Sequence, residues 1–245
     1  MVRTAVILAA GLGSRLKHHT EAQPKGFLVI DNQSLIERSL INLTEAGITR
    51  IIIGTGYLHT HFEQLKNKYP VVTARNEEYA STGSMFTLYQ LRHLIKETFL
   101  LLESDLLYDP AALASLLEDS REDLILASGQ TNSGDEVYIQ ADETGLLQQM
   151  SKNKKALTHI SGELVGICKL SVDTLTRMSE FAFNEFSAGN KQVHYEDALV
   201  GIASAKPIDI KLVEDLVWCE IDDEHHLDRA LKFIYPKINS KARYR

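Results

Sequence analysis

A short apolar run that ends in two closely spaced glycines sits near the start of this chain and limits the folds open to it. Residues 5–10 read AVILAA, long enough for one buried strand. Gly11 and Gly13 follow at once, then Ser14 and Arg15, with Pro24 and Lys25 further on. A strand that stops in a glycine turn exposes a row of backbone N–H groups, a nest for phosphate oxygens. Glycine suits such a turn because a Cβ would block positive φ angles and the close approach of a ligand. Arg15 can fork onto phosphate oxygens, and Lys25 adds a mobile point charge. Together these features point to a polyphosphate site. A nicotinamide fold fits less well, because Leu16 stands where G-x-G-x-x-G needs its last glycine. A P-loop would close on Gly-Lys-Ser/Thr, which is missing here. The apolar run is too short and too broken by glycine for a secretory signal.

The order of elements that follows predicts an α/β fold: a Rossmann-like, mixed but mostly parallel sheet flanked by helices. Ser34 and Glu37 form a capping-box pattern. Ile36, Leu40 and Leu43 then fall on one helical face, and Gly47 ends the helix. Residues 51–53 read as a second strand, 58–68 as a helix and 71–74 as a third strand. Such alternation argues for right-handed parallel crossovers. Ligands in these sheets sit beyond the carboxyl ends of the strands, where Gly11 to Arg15 fall. Residues 76–89, NEEYASTGSMFTLY, put Ser81, Thr82, Gly83 and Ser84 at a helix start. Those hydroxyls are either caps or a base- or ribose-binding loop rich in donors and acceptors.

Two acids stand at later strand ends. Residues 98–102 are a buried strand running into Glu103-Ser104-Asp105. Asp105 there is suited to hold a hard cation on phosphates, with a turn or cap as its structural alternative. The cap role suits Asp109 better, since Pro110 follows it at the first helical position. Residues 111–117 are a helix and 124–127 a strand. Residues 137–140, 146–150 and 163–170 read as an antiparallel extension carrying the second substrate. After helices at 170–186 and from Tyr195, strands at 208–213 and 217–221 lead to Asp222, a metal ligand or the cap of a final helix over 224–234. Lys152 in the run SKNKK is either solvated surface or a contact to an anionic acceptor.

Composition narrows the partners. Lys and Arg number 26 against 33 Asp and Glu, a net charge of −7. An acidic chain is a poor match for nucleic acid, which selects a basic face. An anion site in it has to be locally positive. Cys168 and Cys219 lie in apolar runs as reduced, buried thiols, with no disulfide or zinc spacing. No apolar run reaches membrane-spanning length, so a cytoplasmic protein is expected. The pairs His18/His19, His59/His61 and His225/His226 lack a coherent ligand set and are expected on the surface. One domain over residues 1–236 is anticipated, with a nucleotide part to residue 130 and an acceptor part from 131. Residues 237–245 are expected to form a basic tail or a linker to another domain, by fusion or association.

The run Leu8-Ala9-Ala10-Gly11-Leu12-Gly13-Ser14-Arg15 with Pro24-Lys25 resembles the nucleotidyltransferases that activate sugar phosphates and small alcohol phosphates with an NTP. The resemblance implies that the loop wraps the NTP, that Lys25 and Arg15 act on the reacting phosphates, and that Asp105 and Asp222 hold Mg²⁺. It also implies a substrate-side lysine at Lys152 and a substrate strand containing Glu163 and Gly166. Leu8, Ala9, Ala10, Gly11, Gly13, Ser14, Asn76, Thr82, Gly83, Ser84 and Ser104 are then expected around the nucleotide. LLLESDLLY at Asp105 and STGSMF at Ser84 look like the cytidylyltransferases that activate 2-aminoethylphosphonate or phosphocholine with CTP. The second stretch favours the phosphonate branch. A primary ammonium needs carboxylates, for which Asp135, Glu163, Glu196 and Asp197 are candidates. A quaternary one needs aromatic faces, with Tyr138, Tyr195 and Trp218 available. The expected reaction is CTP plus 2-aminoethylphosphonate, releasing pyrophosphate. Phosphocholine or a sugar 1-phosphate remains open as acceptor, as does a non-catalytic regulatory domain.

Overall fold

A computed structural model describes residues 2–242 of the chain, so residues 243–245 of the tail and the side chain of His18 lie outside the described residues. The strands in chain order are β1 (Thr4–Ala9), β2 (Val29–Ile30), β3 (Gln33–Ser34), β4 (Arg50–Thr55), β5 (Val71–Arg75), β6 (Phe99–Glu103) and β7 (Leu106–Tyr108). They continue with β8 (Leu124–Ser128), β9 (Tyr138–Ala141), β10 (Leu147–Ser151), β11 (Gly162–Leu170), β12 (Asp209–Val213) and β13 (Trp218–Glu220). The main sheet runs β10-β9-β11-β6-β1-β4-β5, with β8 also paired to β11 and β12 to β8. β1 is parallel to both β4 and β6, and β4 to β5. β11 is antiparallel to β6, β8 and β9. The parallel core and the antiparallel extension are both as anticipated.

Strand periodicity explains the layers. Successive side chains alternate between faces, and both faces are covered, so β1 reads as a continuous apolar run. Val6 and Leu8 join Ile52 and Leu101 in one core. That core is closed by α3 (Ser84–Leu91), α5 (Val172–Ser187) and α6 (Tyr195–Ile202). Ala5, Ile7 and Ala9 join Ile51, Ile53, Leu100 and Leu102 in the other. There α1 (Leu35–Glu45), α2 (Thr60–Leu65) and α4 (Ala111–Leu117) form the cover. α1 begins as its sequence predicts: Ser34 accepts from the Glu37 N–H, and Gly47 adopts φ +88° just past the end.

Three features carry the chain to the carboxyl edge of the sheet. Leu8 lies opposite Glu103, so β1 and β6 end side by side. The β7–β13 ladder sets Trp218 against Tyr108 and Glu220 against Leu106, and the Ile221 N–H donates to the Asp105 carbonyl at 3.1 Å. Distant parts of the chain thereby meet at Asp105 and Asp222. The final helix, expected to stop near Ile234, continues instead. Glu224–Arg229 leads through a π-helical turn at Ala230–Ile234 into Tyr235–Ala242. A wider turn accommodates Pro236, which has no N–H to donate to the turn before it.

The turn before α3 packs backbone to backbone against residues 191–193. Gly83 N–H donates to the Lys191 carbonyl at 2.8 Å, and a Cβ on Gly83 would strike the Gln192 and Val193 carbonyl oxygens. Gly83→Ala is expected to lower stability by about 1–3 kcal/mol, the usual range for overpacking a close contact. Urea unfolding measures it, and an unchanged midpoint would show that this approach is not tight.

Candidate active site

A cavity of about 560 Å³ opens at the carboxyl edge of the sheet. Leu8 to Arg15, Lys25, Thr82, Gly83, Ser84, Ser104 and Asp105 line it, and Asp135, Lys152, Glu196 and Asp222 also face it. Gly13 alone of the two loop glycines is left-handed, at φ +64°. Gly11 has an ordinary φ and open space where a Cβ would sit, so its contribution is a bare backbone at the cavity wall. The turn is held by the Thr20 hydroxyl donating to the Gly13 carbonyl at 3.0 Å and by fully buried Leu16.

Lys25 is the centre of the charge network. Pro24 starts a 3₁₀ turn over Lys25–Phe27. Gly26 within that turn lies against the Ser104 backbone, where a Cβ would come within 3.0 Å of the carbonyl oxygen. The Lys25 ammonium is thereby set between Asp105 and Asp222, paired with both, with Glu220 at 3.9 Å. Burial works against its charge, but the three carboxylates outweigh that and hold its pKa well above the ordinary lysine value. Arg15 reaches Asp222 with one arm and Asp135 with the other, each at 2.8 Å. Lys152 also pairs with Asp135, at 2.8 Å.

The acid cluster that could hold a cation shares Asp105 with the expected pair but takes Glu103 and Glu220 in place of Asp222. Oxygens of Glu103, Asp105 and Glu220 lie within 4.8 Å of one another. Asp105 Oδ1 is buried without a hydrogen-bond partner. An all-oxygen donor set with an unsatisfied carboxylate oxygen fits a hard divalent cation such as Mg²⁺. Burial, with Glu196 and Asp105 beside it, pushes the Glu103 carboxyl up to about 8. Burial, then Glu103 and Asp105, pushes Glu220 well up too. Asp222 behaves oppositely: burial would raise it, yet Lys25 and Arg15 hold it down to about 2. The helix cap is its neighbour Asp223, which accepts from the His226 N–H at 2.8 Å, so Asp222 is free of the capping role.

Several expected site residues serve the backbone instead. Asn76 lies beneath the loop, donating to Thr82 and Thr87 hydroxyls at 3.0 Å and accepting from the Glu78 N–H, and does not line the cavity. Glu163 is buried and accepts from the Thr131 N–H at 2.8 Å. Asp197 accepts from the His194 N–H at 2.8 Å, capping α6. Ser84 accepts from the Tyr195 N–H at 3.0 Å while its residue also faces the cavity, so it does both jobs. His226, expected at the surface, is buried: its Nδ1 accepts from the Asp222 N–H and its Nε2 lies 3.3 Å from the Ser133 carbonyl. Gly166, at φ +79°, leaves room for the Glu103 carboxylate, whose Oε1 accepts from the Tyr195 hydroxyl at 2.6 Å. No helix among the described residues is long and apolar enough to cross a membrane.

A glycine turn, two cations and a cluster of acids thus meet at the carboxyl edge of a mostly parallel sheet. Residues 5–166 match the MobA-like NTP transferase domain, and the chain belongs to that family. It is 26% identical over 222 residues to a 2-aminoethylphosphonate cytidylyltransferase of Lancefieldella rimae, covering 89% of this chain and 87% of that one. A choline-phosphate cytidylyltransferase of Streptococcus pneumoniae is 39% identical over 97 residues, and the match spans 40% of this chain and 42% of that relative's length. The solved inositol-1-phosphate CTP transferase from T. maritima superimposes with a TM-score of 0.82 over 97% of this chain and 96% of that one, at 19% identity, a likeness of fold.

The low Asp222 value makes a prediction about acid stability. Its folded value of about 2 lies below the ordinary carboxylate value of ~3.9, so its contribution is complete above ~pH 4 and fades as pH falls toward 2. Urea unfolding between pH 6 and pH 2 is expected to show a shallower loss below pH 4 for Asp222→Asn than for the wild type. Parallel acid limbs would mean that Asp222 is not held ionised by Lys25.

Proposed function

We propose that the protein is a CTP-dependent cytidylyltransferase whose acceptor is an amino-phosphonate of the 2-aminoethylphosphonate type, with pyrophosphate as the second product. The observation that carries the transferase reading is the Lys25 ammonium fixed between Asp105 and Asp222 beside the glycine turn. The named activities of the relatives support cytidine as the base. The near-full-length match to an aminoethylphosphonate enzyme supports the acceptor.

The chemistry follows from charge. An acceptor anion must approach an α-phosphorus embedded in a triphosphate. At roughly 4 Å each like-charge pair costs about 4 kcal/mol in a partly buried site, against about 1 in bulk water. Neutralisation and alignment are therefore the main tasks, and phosphoryl chemistry asks little covalent help of the protein. Arg15 and Lys25 bind and orient the phosphates, and Lys25 stabilises charge at the reacting centre. Asp105 and Asp222 would hold Mg²⁺, with Glu103 and Glu220 beside them; when bound, the ion neutralises triphosphate charge. Lys152 would take the acceptor's phosphonate, an anion that needs no general base to attack. Removing Lys25 as Lys25→Ala is expected to lower kcat at least about a hundredfold, the usual cost of losing a transition-state charge stabiliser. Stopped or steady-state pyrophosphate release reads it, and near-normal turnover would take Lys25 out of the mechanism.

On the acceptor side Glu196 faces the cavity with Oε2 buried and without a partner, a vacancy suited to a primary ammonium. Both Asp135 oxygens are already engaged by Arg15 and Lys152. Phosphocholine is the second reading, favoured by the locally higher identity to the choline-phosphate relative and by Tyr195 and Trp218 in the cavity wall. Tyr138, the third aromatic candidate, instead carries Lys154 over its ring at 4.5 Å. Pyrophosphate release across CTP, UTP, GTP and ATP, each with 2-aminoethylphosphonate, phosphocholine, inositol 1-phosphate and glucose 1-phosphate, decides among them. The expected best pair is CTP with 2-aminoethylphosphonate. Glu196→Gln is expected to raise the acceptor KM about tenfold, in line with a lost charge-assisted hydrogen bond, and to leave the CTP KM unchanged. Release with none of the pairs would favour a non-catalytic domain.

A further inference from the structure

We propose that Asp135 is a positioning residue that stands in for substrate anions: it holds Arg15 and Lys152 ready at the cavity rim and sets the affinity with which the site takes a polyphosphate. The inference deepens, and rests on, the reading of this cavity as a nucleotide site. Its basis is the way one carboxylate is shared. Asp135 Oδ2 accepts from Arg15 Nη1 and Oδ1 accepts from Lys152 Nζ, both at 2.8 Å. Both cations are more than half exposed along their side chains, so the pairs sit at the rim and exchange with solvent and ligand. The shared hydrogen bond to Asp135 is the leading reason that the Arg15 pKa is raised. Arg15 comes from the glycine turn and Lys152 from the loop after β10, so Asp135 joins the two sides of the cavity through charge.

The segment that presents Asp135 is anchored behind it. The Thr131 N–H donates to Glu163 at 2.8 Å, the Thr131 carbonyl accepts from Arg229 at 3.0 Å, and the Ser133 carbonyl faces His226 Nε2. These anchors lie on β11 and on the helix Glu224–Arg229, so the carboxylate is held at the rim by the fold itself. A flexible Lys and Arg otherwise lose rotamer freedom when a ligand orders them. Asp135 removes part of that cost by ordering them beforehand, and in return competes with the ligand for the same donors. A phosphate that takes the Arg15 Nη1 donor displaces Oδ2, and an acceptor anion that draws Lys152 away displaces Oδ1. The two exchanges are linked because they occur on one carboxylate.

Calorimetric titration of the whole chain with CTP and, separately, with inorganic tripolyphosphate tests this, using wild type, Asp135→Asn, Asp135→Glu and Glu136→Gln. Glu136 is the control because it lines the same cavity one residue away, yet bonds the Gly134 N–H and the Tyr138 hydroxyl rather than a cation. Asp135→Asn is expected to tighten both ligands about fivefold, the worth of one exposed ion pair. Asp135→Glu should stay near wild type, and Glu136→Gln should change less than twofold. In steady state, Asp135→Asn should lower the CTP KM without raising kcat. Unchanged or weaker binding by Asp135→Asn overturns the proposal, as does an equal gain from Glu136→Gln, which would be a general effect of lost negative charge. Wild type that binds both ligands but releases no pyrophosphate would instead sink the transferase reading and leave the role of Asp135 intact. Binding by neither wild type nor Asp135→Asn would overturn both.

Discussion

The ammonium of Lys25, enclosed by Asp105 and Asp222, is the contact on which the arrangement of this molecule turns. Those two acids are brought together by backbone pairing between β7 and β13, which takes no account of their charge. Like charges this close and this shielded from water repel strongly, so the ladder is tenable only with a cation between them. The packing beneath has the same dependence. Leu107, Cys219 and Ile221 share a core with Leu16 behind the glycine turn and with Ala230 and Ile234 of the last helix. One buried charge balance thus fixes how the start, middle and end of the chain meet.

The sheet supplies the rest of the geometry with few devices. Parallel strands β1 and β6 stop together, which puts the glycine turn beside Glu103 and Asp105. The antiparallel β11 then crosses the same edge in the opposite sense, and Gly166 on it faces the Glu103 carboxylate. A side chain at Gly166 would meet both a left-handed backbone and that carboxylate, so glycine here is a requirement of the acid cluster. Tyr195, fully buried at the start of α6, completes the contact through its hydroxyl. The glycine-turn side of the cavity and the side of the antiparallel extension are joined at Glu103 by packing and at Asp135 by charge.

How much of this was legible in the residues depends on the range of the interactions. Local periodicity carried the strands and helices well, since alternation and the capping box act within a few residues. The glycine turn with Arg15 and Lys25 was also readable, because its chemistry is contiguous. The acids were harder. Glu163 is consumed by the Thr131 N–H, 32 positions away, which the sequence does not show to be near. Asn76 and Asp197 serve the N–H groups of Glu78 and His194 close by in the chain, a local turn and cap set aside in favour of a ligand role. Glu103 and Glu220 were passed over because what distinguishes them is each other, more than a hundred positions apart in the chain. His226 had a signal that the paired-histidine pattern obscured. His226, Ala230 and Ile234 are spaced four apart and all three are buried, one stripe of the final helix.

The network also bears on which anions the site can accept. Three cations of the cavity are already paired: Lys25 with Asp105 and Asp222, Arg15 with Asp222 and Asp135, and Lys152 with Asp135. A ligand must therefore match the carboxylates it displaces before it gains anything. Arg15 and Lys25 already share one oxygen of Asp222, so a single phosphate oxygen can replace it, and a longer polyphosphate adds oxygens for the donors that Asp105 and Asp135 occupy. In a chain with net charge −7, such an exchange of partners is the means by which, on the proposed reading, a locally balanced site would favour a polyanion over smaller anions.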